Sequence, residues 1–158
     1  MVGDNQEERV VAAKLLCKPK HIAAVFSGAD ERNWEKVQHA MAENVLLDYS
    51  SLSGNAAATL SSKQIIETWK GFLHGFDRTH HQLSDFQVTQ RGDTATIHCN
   101  GKADHFIDKD VWTVEGTYDA EASKTNGQWL VTKLKFNLAK QSGNTNLPTR
   151  ASEKLKSN

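Results

Sequence analysis

Between Arg78 and Ile107 the sequence RTHHQLSDFQVTQRGDTATIHCNGKADHFI alternates polar and apolar residues over much of its length. Side chains two apart on a strand share a face, so this pattern dictates extended chain with one buried side. Arg91-Gly92-Asp93 places turn-forming residues in the middle, which makes the stretch a hairpin of two long strands. On the second strand Ala95, Ile97, Cys99, Ala103, His105 and Ile107 share one face. Thr94, Thr96, His98, Asn100, Lys102 and Asp104 share the other. His105 therefore falls among apolar neighbours and His98 among polar ones. On the first strand only one of His80 and His81 can face inward. His81 has the parity of Leu83, whereas Phe86 and Val88 have the opposite parity, which points to a bulge between them and to His81 as the inward residue.

A histidine enclosed by apolar side chains needs a hydrogen-bonding partner, and the preceding segments offer candidates. Val10, Val11, Leu15 and Leu16 suggest a short amphipathic helix ending before Pro19. A second helix, from His21 to about Ala29, buries Ile22, Val25 and Phe26. Asp30 follows, able to cap the next helix, which carries Trp34, Val37 and Met41 at helical spacing. In ENVLLDYS the period changes to that of a strand, with Val45, Leu47 and Tyr49 pointing one way. Ser51 to Thr59 is a loop of small residues, after which Ser61 or Ser62 caps a helix bearing Ile65, Ile66, Trp69, Phe72 and Leu73. Beyond the hairpin, Trp112, Val114, Tyr118 and Ala120 alternate on one strand, and Asn126-Gly127 signals another tight turn. Leu130, Leu134, Phe136 and Leu138 mark the strand that follows. From Gln141 periodicity is lost and a mobile tail is expected.

Helices, a strand, a helix and four consecutive antiparallel strands predict an α+β domain, a strongly curved sheet with helices on its concave face. Such a cone encloses a cavity of the kind ligands occupy. Tyr49, His81 and His105 face inward from different strands, and Asp30 is the acidic residue best placed to reach His81. Imidazole accepts a proton near neutral pH, a carboxylate on its other nitrogen fixes the tautomer, and a phenol polarises a carbonyl or steers a leaving hydroxyl. That set suits removal of a proton from carbon followed by elimination or double-bond migration, with no cofactor. Each residue also has a plainer role: His105 as a satisfied core histidine, Asp30 as a helix cap, Tyr49 as a core aromatic.

Composition narrows the field. Nineteen basic and nineteen acidic residues give formal net charge zero, which recommends neither nucleic acid nor an anionic membrane as partner. Cys17 and Cys99 form no disulfide framework. No metal-ligand spacing, phosphate-cradling glycine loop or nucleophile elbow is present. Acidic residues stand where a signal peptide would be basic, and no segment is long enough to span a bilayer, so a cytoplasmic protein is expected.

ADERNWEKVQHAMAENVLLDYSSL, RTHHQLSD and GKADHF, in this order, resemble the SnoaL-like branch of the nuclear transport factor 2-like superfamily, and within it the scytalone dehydratases. The resemblance covers roughly residues 21–140. It implies the cone-shaped, cystatin-like roll and a domain over residues 20–140, between a helical extension (1–19) and the tail (141–158). Asp30, Tyr49, His81 and His105 match the catalytic positions of those enzymes. Cofactor-free, metal-free dehydration is implied, with His81 as base, Asp30 orienting it, and Tyr49 and His105 holding and protonating the departing oxygen. Trp69, Trp112, Tyr118 and Phe136 are the expected substrate-binding walls. Ala29 stands where the dehydratases carry a second tyrosine, and Ala120 and Ala122 where they carry a serine and an asparagine. A less polar substrate is thereby implied: a small hydroxylated or carbonyl compound, for a lyase or, by the same residues, an isomerase. The other expectation is a non-catalytic ligand-binding or oligomerisation module. Either way a homodimer or homotrimer is expected.

Overall fold

The computed structural model describes residues 16–157; the helix expected around Val10, Val11 and Leu15 lies outside the described residues. Helix α1, Pro19–Asp30, opens on a proline, whose fixed φ and missing N–H suit a first helical turn. Ile22, Val25, Phe26 and Ala29 are buried, the stripe of a helix with one apolar face. The chain leaves α1 through Arg32, in left-handed conformation at φ 57°. Asn33, not Asp30, caps helix α2, Trp34–Ala40, its side chain accepting from the Lys36 N–H at 3.1 Å. Asp30 is thereby left to find another partner. Met41, expected on this helix, instead begins strand β1, Met41–Asp48.

The stretch expected to be a small-residue loop holds helix α3, Ser50–Ser53, and strand β2, Ala58–Ser61, which pairs antiparallel with β1. Helix α4, Ser62–Leu73, is capped by Ser61. The Ser61 hydroxyl accepts from the Gln64 N–H at 3.1 Å and the Gln64 side chain accepts from the Ser61 N–H at 2.9 Å, a reciprocal capping box. Ile65, Ile66 and Leu73 are buried beneath it.

Four long strands follow: β3 (Arg78–Arg91), β4 (Thr94–Ile107), β5 (Asp110–Thr125) and β6 (Gln128–Gly143). Two-residue turns join them, and Asn126 and Gly127 both take positive φ, 51° and 79°, the backbone whose twist matches a hairpin. The six strands are ordered β2-β1-β6-β5-β4-β3, with β1 parallel to β6 and the other pairs antiparallel. On β4 the expected inward residues Ala95, Ile97, Cys99, Ala103, His105 and Ile107 are all buried. The bulge expected on β3 lies between Ser84 and Gln87, where Asp85 takes φ 55°. Two more occur on β6, where Thr132 and Ala139 have no partner on β5. Each adds bend and twist, and the sheet curls around α1, α2 and α4. The extra residue at Thr132 also reverses parity. Trp129 and Val131 are buried, while Leu130, expected inward, lies on the other face.

The segment after Gln141 differs from the expected aperiodic tail. β6 continues to Gly143, and helix α5, Leu147–Lys156, packs against the domain with Leu147 and Ala151 fully buried. Gly75 makes the approach possible, because a Cβ there would collide with the Ala151 backbone. Arg150 and Lys154 pair with Asp110 and Asp77 at 2.6 and 2.8 Å. Sequence pattern missed this helix because its apolar contribution is only Leu147, Ala151 and Leu155, one residue per turn. Leu147→Ala should cost about 2–5 kcal/mol, lowering Tm by roughly 5–15 °C in a chain of this size. A thermal melt identical to that of the parent protein would make α5 an appendage after all.

Candidate active site

Between the concave face of the sheet and helices α1 and α4 lies a cavity of about 730 Å³. Tyr49, His81 and His105 line it, as do Trp69, Trp112, Tyr118 and Phe136. Asp30 stands behind His81 without being part of the wall. Every residue singled out for a site is thus at or directly behind this one cavity. His80 is exposed, and His98 lies on the outer face bonded to Asp119 at 2.6 Å.

Asp30, the last residue of α1, meets the start of β3. Its Oδ2 accepts from the His81 backbone N–H at 2.7 Å, and its Oδ1 accepts from the Thr79 hydroxyl at 2.9 Å and from His81 Nδ1 at 2.7 Å. Burial alone would raise the Asp30 pKa, but the bonds from His81 and Thr79 more than reverse this and hold it below its ordinary value. The carboxylate stays ionised. Since a carboxylate only accepts, His81 carries its proton on Nδ1. Its Nε2, with a free lone pair, is left for the cavity.

His105 is held differently. Its Nδ1 donates to the Trp112 carbonyl at 3.1 Å, and the ring is packed against Trp112 and Phe76, with centroids 4.3 and 4.9 Å away. Burial, more than any charge, pushes its pKa down from 6.5 to about 4. It is neutral near pH 7, so its Nε2 can accept a hydrogen bond from a ligand but cannot give one. In that tautomer His105 is placed to hold a ligand hydroxyl.

The donors are the phenols. Tyr49 continues the inward parity of β1, and Tyr118 reaches toward it from β5, so that both phenols line the cavity and each feels the other. Burial raises both pKa values, that of Tyr118 further because of its neighbour Tyr49. Their hydroxyls are the O–H donors that the two phenols bring to the cavity wall. Tyr118 can lie across β4 because Gly101 has no side chain; a Cβ there would run into its ring. Phe26 packs on both Tyr118 and His81, at 4.7 and 5.3 Å between centroids, which ties the phenols to the dyad.

Some contributors escaped sequence reading. Thr79 bonds Asp30; it has the parity of His81, so the same alternation could have flagged it. Gln141 lines the cavity and its side-chain oxygen accepts from the Trp112 indole N–H at 2.8 Å; its segment had been assigned to the tail. Conversely, of the three alanines expected to make the pocket less polar, only Ala29 lines it, while Ala120 and Ala122 are buried elsewhere in the core. Among the described residues no three His, Cys, Asp or Glu side chains converge as metal ligands do, and no helix is long and apolar enough to cross a membrane.

No curated protein matches the sequence. Among solved structures, the Kfla4162 protein from Kribbella flavida is similar at 23% identity, over 89% of this chain and 98% of that one, with TM-score 0.79. A scytalone dehydratase candidate from Novosphingobium aromaticivorans is similar at 16% identity, over 87% and 91%, with TM-score 0.70. The hexachlorocyclohexane dehydrochlorinase LinA-type3 from Novosphingobium barchaimii is similar at 9% identity, over 89% and 95%, with TM-score 0.70. At such identities the likeness speaks for the fold alone, the nuclear transport factor 2-like one. The sequence itself matches the family described as the SnoaL-like domain over residues 20–135, most of the chain, and the chain belongs to that family.

Proposed function

We propose that the protein is a cofactor-independent lyase that dehydrates a small, mostly apolar β-hydroxy carbonyl compound. The observation that carries this reading is the Asp30–His81 dyad, with one ring nitrogen fixed on a carboxylate and the other toward an aromatic-walled cavity. In this mechanism His81 Nε2 takes the proton from the carbon next to the carbonyl. The C–H electron pair moves to the carbonyl oxygen as an enolate, which the phenol hydroxyls of Tyr49 and Tyr118 stabilise. The enolate then reforms the carbonyl, its electrons form the carbon–carbon double bond, and the C–O bond to the hydroxyl breaks. The imidazolium of His81 returns its proton to that oxygen and water leaves. Asp30 stabilises the imidazolium between the two steps. His105 Nε2 accepts from a hydroxyl of the substrate and so selects its orientation. A substrate without a leaving group would be reprotonated at another carbon, and the same residues would then act as an isomerase. The dehydrochlorinase and dehydratase candidate of the same fold support the reading by analogy only.

A panel of cyclic and phenolic β-hydroxy ketones, followed by growth of enone absorbance, tests it. His81→Gln still donates to Asp30 but cannot take the proton, and should lower kcat by about 10²–10⁴-fold with the circular dichroism spectrum unchanged. Turnover at the parental rate would eliminate His81 as base. Saturable ligand binding without turnover of any compound would favour the non-catalytic module instead.

The phenols act as a unit. Tyr49→Phe together with Tyr118→Phe should cost about 10²–10³-fold in kcat. Either single change should cost less, because the remaining hydroxyl keeps its proton for the ligand. Equal losses in the single and double variants would show that only one phenol serves the oxyanion.

His105 should also mark stability. Its pKa is lower folded (about 4) than its ordinary 6.5, so between these values the unfolded chain binds more protons. Unfolding free energy therefore rises with pH through this window. The contribution is fully present above about pH 6.5 and lost on the order of 3 kcal/mol as pH falls to 4. Urea unfolding of His105→Phe should show a shallower pH slope from 4 to 6.5 than the parent; parallel slopes would mean that His105 titrates normally.

A further inference from the structure

We infer that Gln141 is a specificity-determining residue. With its side-chain oxygen spent on Trp112, its amide N–H groups select a ligand that carries a second hydrogen-bond acceptor at the end remote from the reacting carbon. The inference deepens the proposed function and rests on that reading for which end of the ligand reacts.

The register of the sheet places Gln141. His81 on β3 pairs with Ala103 on β4, Ala103 with Val114 on β5, and Val114 with Gln141 on β6. All four line the cavity, so one transverse row of inward side chains runs from the dyad to the amide. Adjacent strands lie about 4.8 Å apart, which sets His81 and Gln141 about 14 Å apart along the sheet and less across its curl. Between these polar ends, Ala103 and Val114 leave an apolar floor. The neighbouring row holds His105 and Trp112 as partners, their rings 4.3 Å apart. Trp112 pairs in turn with Gly143, so Gln141 is its diagonal neighbour on β6, within reach of a long side chain.

The amide can be turned only one way. Trp112 is buried, its indole N–H can only donate, and it finds the Gln141 side-chain oxygen at 2.8 Å. A flipped amide would set N–H against N–H and leave a buried donor unmet, which is costly. Oε1 therefore belongs to Trp112, and Nε2 bonds no other group among the described residues. Gln141 itself is exposed, so its amide meets solvent until a ligand takes that place. Two N–H donors are what it has left for a molecule in the cavity. Neither histidine supplies them, because the Nδ1 protons of His81 and His105 are held by Asp30 and by the Trp112 carbonyl. Tyr118 donates from farther along β5, so the two donor positions are distinct. A molecule whose reacting carbon stands at His81 meets Gln141 only with its other end. The ligand class is an elongated carbonyl compound, apolar in its middle to suit Ala103 and Val114, with an acceptor oxygen at the far end.

The test measures binding to the full chain and needs no turnover. Two β-tetralones serve as probes, one with an acetyl group on the ring remote from its ketone and one with isopropenyl there, which replaces only the acetyl oxygen by a methylene. Neither carries a leaving hydroxyl. Calorimetric titration should show the acetyl compound bound about two- to tenfold more tightly, the worth of one hydrogen bond. Gln141→Glu keeps an acceptor for the Trp112 indole but has no N–H, and should abolish that preference. Gln141→Leu should abolish it too. A purely structural role would weaken both ligands in Gln141→Leu and leave their ratio at the parental value. A preference that survives in either variant, equal affinities in the parent, or a parent that binds neither compound would overturn the proposal. Failure of the enzymatic reading looks different: the ratio moves as expected, yet no hydroxy ketone is turned over.

Discussion

The contact between Asp30 and the first residues of β3 joins the helix layer to the edge of the sheet, and the site depends on it. A carboxylate leaving water for a partly buried position is costly unless its lone pairs are met. Here three donors meet it: the Thr79 hydroxyl, the His81 backbone N–H and the His81 ring. One of them, the His81 amide, is a group that a strand edge presents anyway. Among the described residues β3 has a neighbour strand only on the side of β4, and its other edge turns the His81 amide toward Asp30 at the end of α1. One carboxylate thus satisfies an edge, fixes the angle of a helix and sets a tautomer.

From that contact the chemical division of the two histidines follows. Both come from one hairpin and both line one cavity, yet a carboxylate holds one and a carbonyl the other. The carboxylate grips the His81 ring through Nδ1 at 2.7 Å and sets a negative charge beside it. The carbonyl fixes a tautomer without supplying a counter-charge, and the aromatic cage of Phe76 and Trp112 opposes ionisation. Neighbouring groups whose environments pull their protonation apart are what acid–base chemistry requires.

Much of this was legible as parity. Alternation placed His81 and His105 inward, and Tyr49 followed from Val45 and Leu47. The parity break between Leu83 and Phe86 announced the bulge that the structure has between Ser84 and Gln87. What parity cannot report is an extra residue with no signature of its own. Thr132 is an ordinary strand residue, so the reversal that buries Trp129 and exposes the Leu130 side was invisible. The cap was misassigned for a similar reason. Asp30 and Asn33 are equally good cap residues in isolation, and only the left-handed turn at Arg32 decides that Asn33 caps α2. Helix α5 escaped because one apolar residue per turn among polar neighbours carries too little periodic signal, although Leu147 is as buried as any core residue.

The inventory of polar groups on the cavity wall limits what can bind there more tightly than its size does. His81 and His105 each offer a lone pair and Tyr49 and Tyr118 their hydroxyls, while Ser53, Asn55, Thr68 and Gln141 add neutral polar groups to the wall. Among the described residues no lysine or arginine lines the cavity to meet an anionic ligand, and Arg32 donates to the Phe76 carbonyl without lining it. An anion would lose its hydration against Trp69, Phe72, Trp112 and Phe136 with only neutral hydroxyls and amides in return, an exchange that favours neutral molecules. A neutral ligand with an acceptor for the phenols and a donor for His105 matches these groups, and the β-hydroxy carbonyl compound proposed as substrate carries both, with its acidic C–H between them.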